Sequence, residues 1–188
     1  MGITVNGLDE LKKLAGSDLG TSDWIEVTQE RINTFADATG DHQWIHVDVE
    51  KAKEGPFGAP IAHGYLTLSL FIPLFTELLD VDGVTTKVNY GLNKVRFPAP
   101  VKAGSRIRLV AGLADVEEVP GGLQVTVDGT IEIEGGAKPA AVLQSVSRFY
   151  ASRCAQTEAG ARRRPPGYRV FLNSQPRVGE VNPRHDRT

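Results

Sequence analysis

Cysteine is almost missing from this chain: Cys154 is the single one among 188 residues. No intramolecular disulfide can form, and nothing points to an oxidising compartment. A basic stretch leading into an apolar one is missing at the N-terminus as well. MGITVNGLDELKKL does not read as a signal peptide, so cytoplasm is the expected location. A clean bilayer span is also lacking. The longest apolar run, residues 61–79, is interrupted by His63, Thr67, Ser69, Pro73, Thr76 and Glu77, which suits a helix buried in protein better than one crossing lipid. Lysine is absent from residues 152–188, which carry eight arginines against three acids, while the preceding residues are acidic overall.

That arginine-rich stretch is also rich in Pro and Gly, and its bulkiest apolar residues are confined to the patch Tyr168, Val170, Phe171 and Leu172, with Val178 and Val181 beyond it. It offers too little apolar surface to offset the entropy of ordering, so residues 152–188 are expected to form a disordered tail. Arg162, Arg163 and Arg164 lack interleaved aromatic platforms, and neither a nucleic acid nor a membrane is expected as partner. The rest, residues 1–151, is long enough for one core.

The pattern of residues 1–151 is α+β. Leu8, Leu11 and Leu14 are spaced for a short helix, and Trp24, Ile25 and Val27 suggest a brief strand. Thr28 is placed to cap a helix running to about Thr39, with Ile32, Phe35 and Ala36 inward and Gly40 as its stop. Irregular backbone is expected over 41–46, followed by a short helix capped by Asp48 and running to Lys53. Residues 62–79 are apolar nearly all round, as in a helix covered on every side, with a kink or early end at Pro73. Leu123, Val125, Val127, Gly129, Ile131 and Ile133 alternate with polar residues, which predicts a long antiparallel strand with one wet face. Its expected neighbours are 106–115 and 142–150, and strands at 86–90 and 93–97 complete the sheet.

Chemistry concentrates in TGDHQWIH, residues 39–46, and in PIAHGYLTLSLF, residues 60–71. Asp41 and His46 offer a carboxylate and an imidazole on one short stretch, and Gly64 stands at the entry to the apolar helix. An acid, an imidazole and a nearby backbone amide suit proton transfer beside a carbonyl or thioester. His42 and His46 beside Asp41 also raise a metal, but the irregular backbone expected there and the lack of further ligands leave none predicted.

These motifs, in this order and followed by VNYGLNKVRFPAPVKAGSRI, resemble the MaoC-like hydratases, the (R)-specific enoyl-CoA hydratases of the hot-dog fold. The resemblance spans residues 20–150 and implies one curved antiparallel sheet wrapped around a central apolar helix. It also implies syn addition of water to a trans-2-enoyl-CoA, giving an (R)-3-hydroxyacyl-CoA. Asp41 and His46 match the family's catalytic pair, and Gly64 the glycine whose N–H stabilises the thioester oxygen. The family's usual Asn-Pro is replaced by Gln43-Trp44; Gln43 keeps an amide able to orient a carboxylate. By the same resemblance Phe97 touches the thioester end. His63, Tyr65, Asn89 and Tyr90 accompany the groove, and Lys94 and Arg96 are candidates for the CoA phosphates. No cofactor is implied, CoA being part of the substrate, and a homodimer is expected because a single wrapped sheet leaves an edge to cover. Three alternatives share the fold: an acyl-CoA thioesterase, a noncatalytic acyl-binding subunit, and a dehydratase acting on acyl-carrier-protein substrates.

Overall fold

A computed structural model describes residues 2–151. The elements run β1 (Ile3–Asn6), α1 (Gly7–Lys13), β2 (Asp18–Thr21), β3 (Ile25–Glu26), α2 (Gln29–Thr39), α3 (Trp44–Val47) and α4 (Val49–Lys53). They continue with α5 (Gly64–Ser69), α6 (Phe71–Leu78), β4 (Leu79–Asp82), β5 (Val84–Arg96), β6 (Arg106–Val119), β7 (Gly122–Ile133) and β8 (Ala141–Ala151). The expected α+β class holds. The tail expected over 152–188 lies outside the described residues.

Long strands form one antiparallel sheet in the order β2-β6-β7-β8-β5, with β3 also pairing β6. The period-two pattern of β7 works as its chemistry requires: Leu123, Val125, Val127, Gly129 and Ile131 are buried while the residues alternating with them are not. Phe149, Leu143, Ile107 and Leu109 join them on the inner face, and Phe71, Leu74, Phe75 and Leu78 of α6 press down on it. Each such side chain contributes about 1.5–3 kcal/mol by leaving water. Gly129 sits where the Phe71 ring comes closest: a Cβ there would lie 3.3 Å from Phe71 Cε2 and 3.2 Å from Leu109 Cδ1. A strand glycine thus lets a helix approach the sheet.

Three expectations need correction. The helix at 62–79 is two helices, α5 and α6, broken at Leu70. Pro73 has no N–H for the carbonyl of Ser69, so the ladder fails one turn ahead of the proline. Nor is this segment covered on every side: Tyr65 and Ile72 are exposed. The two strands expected at 86–90 and 93–97 are one, β5, whose pairing with β8 is interrupted between Asn89 and Gly91 and between Leu92 and Lys94. Each irregularity shifts the alternation, so the period-two signal cancels along the strand. The short parallel pair β1–β4, joining Ile3–Asn6 to Leu79–Asp82, had no sequence signal.

β5 ends the strand order, and almost all of it is exposed, with Val88, Tyr90 and Leu92 among the large apolar side chains in water. Among the described residues no helix is long and apolar enough to cross a membrane.

Candidate active site

α2 delivers the first functional group. Thr28 caps it as the sequence predicts, its Oγ1 accepting from the Arg31 N–H at 3.2 Å. At the other end Gly40 adopts φ 75°, ψ 7°, and its N–H reaches the Ala36 carbonyl at 2.8 Å. Only a left-handed residue ends the helix this way without steric cost, and the chain leaves it directly at Asp41. The backbone then does not stay irregular as expected. Trp44–Val47 makes a single helical turn, α3, with the His46 N–H donating to the Gln43 carbonyl at 2.9 Å. Asp48 caps α4 by accepting from the Lys51 N–H at 3.0 Å.

His46 is held from two sides. Its Nδ1 lies 2.7 Å from the Ile61 carbonyl. A carbonyl can only accept, so Nδ1 carries the proton and Nε2 of the neutral ring presents a lone pair. The Gln29 amide donates to the His46 carbonyl at 2.8 Å, tying the turn to α2. Burial is the main influence pushing the imidazole below its ordinary pKa; the neighbouring His63 acts the same way, while the Ile61 bond and Asp41 oppose it. The ring is therefore neutral at neutral pH.

His63 joins this pair from α5. It is buried, its Nε2 sits 2.9 Å from the Asp41 carbonyl and 3.9 Å from Asp41 Oδ2, and its ring stacks on His46 at 3.7 Å between centroids. Asp41, His46 and His63 each bring a polar side-chain atom to within 4.8 Å of the other two. That donor set has the composition of a metal site. The geometry does not match: rings stacked at 25° between planes point their in-plane lone pairs side by side rather than at one ion. His42, the other histidine considered with His46, turns away to Asp37, 2.8 Å distant, whose carboxylate raises its pKa.

Gly64 opens α5, so its N–H has no acceptor within the helix. Phe97 lies against it: a Cβ on Gly64 would stand 3.2 Å from Phe97 Cδ2 and Cε2. Asp41, Phe97 and Tyr65 are all substantially exposed, so this side of the cluster faces solvent in the single chain. Gln43 caps α3 through its backbone, without a side-chain capping bond, and Trp44 packs against Gly55 with Lys51 over its ring.

The remaining predicted residues are not gathered here. Asn89 and Tyr90 line a cavity of about 350 Å³ with Leu68, Ser69, Phe71, Ile72, Gly91, Leu92 and Ser145. It begins beside the second half of α5, about 6 Å along the helix from Gly64. The Tyr90 ring itself carries the Arg148 guanidinium at 3.5 Å. Lys94 and Arg96 pair across the sheet with Gln144 and Val142, on the face opposite Leu143 and the helices. Arg96 donates to the Val95 carbonyl at 2.7 Å. Neither cation approaches Asp41 or His46 within one chain.

Comparison with known proteins places the chain in a family. The model of the MaoC-like domain matches residues 10–134. A 3-hydroxyacyl-thioester dehydratase Z of Mycobacterium tuberculosis is 53% identical over 149 residues, 79% of this chain and 99% of the relative. Among solved structures, the monoamine oxidase regulatory protein of Archaeoglobus has a TM-score of 0.64 at 25% identity, covering 81% of this chain and 99% of that one. The (R)-hydratase of A. caviae involved in PHA biosynthesis shares the hot-dog fold, with a TM-score of 0.59 at 23% identity over 71% of this chain and 94% of that one. The chain belongs to the MaoC-like dehydratase family and is an enzyme of the hydro-lyase class.

Proposed function

We propose that the chain catalyses the reversible syn hydration of trans-2-enoyl-CoA to (R)-3-hydroxyacyl-CoA, with no cofactor beyond the CoA of the substrate. One observation carries this reading: a carboxylate and a neutral imidazole lie within 4.8 Å of each other and of His63, the residue immediately before the amide that opens α5. That spacing admits a water between Asp41 and the Nε2 of His46. In hydration the water oxygen bonds to C3 as one of its O–H bonds breaks, and the proton passes to the pair. The pair returns a proton to C2, so its own proton count is unchanged. Between these steps the thioester oxygen is enolate-like, and the Gly64 N–H stabilises it.

The acyl chain runs from Gly64 along α5 into the cavity between Leu68–Ile72 and Leu92–Ser145. Two copies join along the β5 edge, which covers the open side of the pocket near Tyr65 and Phe97. The phosphates of CoA then fall outside the reach of Lys94 and Arg96 of the same chain, and the partner copy is the source of any contact they make.

Hydration of 2-enoyl-CoAs of graded length, with chiral analysis of the product, tests the reading. An (R) product formed with loss of enoyl absorbance and no thiol release is expected. An (S) product overturns it, and thiol release points to a thioesterase. The dehydratase relative is named for a 3-hydroxyacyl thioester, which a carrier protein also bears, so the assay includes the same acyl groups on acyl carrier protein. The acidic balance of residues 1–151 works against docking an acidic carrier.

A further inference from the structure

We propose that His63 is a positioning residue that pins Asp41, His46 and the Gly64 amide to one another. The proposal rests on the hydratase reading and deepens it. The Asp41 carbonyl can only accept, so the Nε2 of His63 is its donor at 2.9 Å, across 22 residues of sequence. The same ring stacks face to face on His46, with Phe35 of α2 on it at 5.0 Å between centroids. Its main chain is the N-cap of α5, immediately before Gly64, and its carbonyl accepts the Thr67 N–H at 3.1 Å. One residue therefore touches the backbone that carries the carboxylate, the face of the base, and the entry to the helix that carries the oxyanion amide.

A second observation separates this role from filling space. His63 is 97% buried, yet its Nδ1 has no hydrogen-bond partner. A phenylalanine would fit the same stack between Phe35 and His46 without leaving a polar atom unpaired, and burial of an unpaired polar atom is unfavourable. The histidine is worse for packing than its apolar counterpart; what it adds is the N–H on Asp41. Stability and catalysis should then respond to its replacement with opposite signs.

The full chain carrying His63→Phe or His63→Gln tests this with three readouts: thermal midpoint, steady-state hydration of crotonyl-CoA, and the nitrogen NMR titration of the His46 ring without substrate. His63→Phe is expected to melt no lower than the parent while kcat falls roughly 10- to 100-fold with KM little changed, the effect of a displaced but intact reacting pair. His63→Gln keeps an N–H at a similar reach and is expected to recover part of kcat. In His63→Phe the His46 midpoint moves upward, because one of the influences lowering it is gone while burial remains. Unchanged kcat in His63→Phe, or a loss explained wholly by unfolded protein, overturns the proposal. If His63→Phe does not fold, His63→Leu is held to the same criteria. Should the parent hydrate no enoyl thioester, the hydratase reading fails by itself. The backbone carbonyl and amide shifts of Asp41 and Gly64 in His63→Phe then decide the pinning role, which falls if they stay in place.

Discussion

The sheet and the segment from Gln29 to Gly64 are built to different standards. The sheet is long strands in register, closed by Ile107, Leu109, Val125, Ile131, Leu143 and Phe149, each almost wholly out of water. The segment that carries the candidate site is α2 followed by two short helical elements of four and five residues, and it holds two buried polar atoms without partners, Gln29 Oε1 and His63 Nδ1. Both belong to side chains in direct contact with His46. Polar satisfaction is nearly complete in stable cores, and departures from it gather where geometry serves chemistry. The sheet supplies stability; the segment trades some of it for a fixed arrangement of acid and base.

Substitutions on the two sides should therefore separate activity from stability. The largest effect is expected for Asp41→Asn, which removes a proton-transfer group in contact with solvent: hydration of crotonyl-CoA drops roughly 100- to 10,000-fold while the melting temperature stays near the parent's. An Asp41→Asn protein that still hydrates at the parental rate would end the comparison on the catalytic side. Phe149→Ala does the opposite. It leaves a cavity in the sheet and costs about 3–5 kcal/mol in a denaturant titration, yet the molecules that remain folded turn over at the parental kcat.

Smaller effects sharpen the contrast. His46 must be neutral to accept a proton, and burial lowers its pKa, so kcat/KM should lose its acid limb at a midpoint below the ordinary histidine value of about 6.5. The same shift makes the native state bind fewer protons than the unfolded chain. Stability is thus complete above that ordinary value and is lost as pH falls through the depressed one. A pH–rate profile and pH-dependent melting should show both from one group. His42→Asn is expected to change least: His42 is exposed and paired with Asp37, so kcat and melting both stay within experimental error. A large loss of kcat there would extend the catalytic region beyond the Asp41–His46–His63 cluster.

Legibility in the sequence followed the same divide. The cap at Thr28, the stop at Gly40 and the alternation of β7 are local rules, and local rules are visible in a string of residues. Asp41, His46 and Gly64 were legible through a motif in which spacing stands for geometry. Less was legible where long-range packing decides. β5 is continuous only because β8 bridges its irregularities, and β1 finds β4 across the whole helical segment. His63 was expected among the groove residues, but nothing in Ala-His-Gly shows that its ring turns back to Asp41 and lies flat on His46. The one-turn helix α3 escaped notice because four residues are too few to show a period.

The bare edge of β5 has a practical consequence for anyone who handles this protein. A thirteen-residue strand with its outer backbone groups unpaired and with Val88, Tyr90 and Leu92 in water is a template for whatever strand arrives first. In the proposed dimer that strand is supplied by another copy. On long dilution, or beside partly unfolded chains, it is a stray segment, and specific activity then decays with time at a rate set by how dilute the stock is kept.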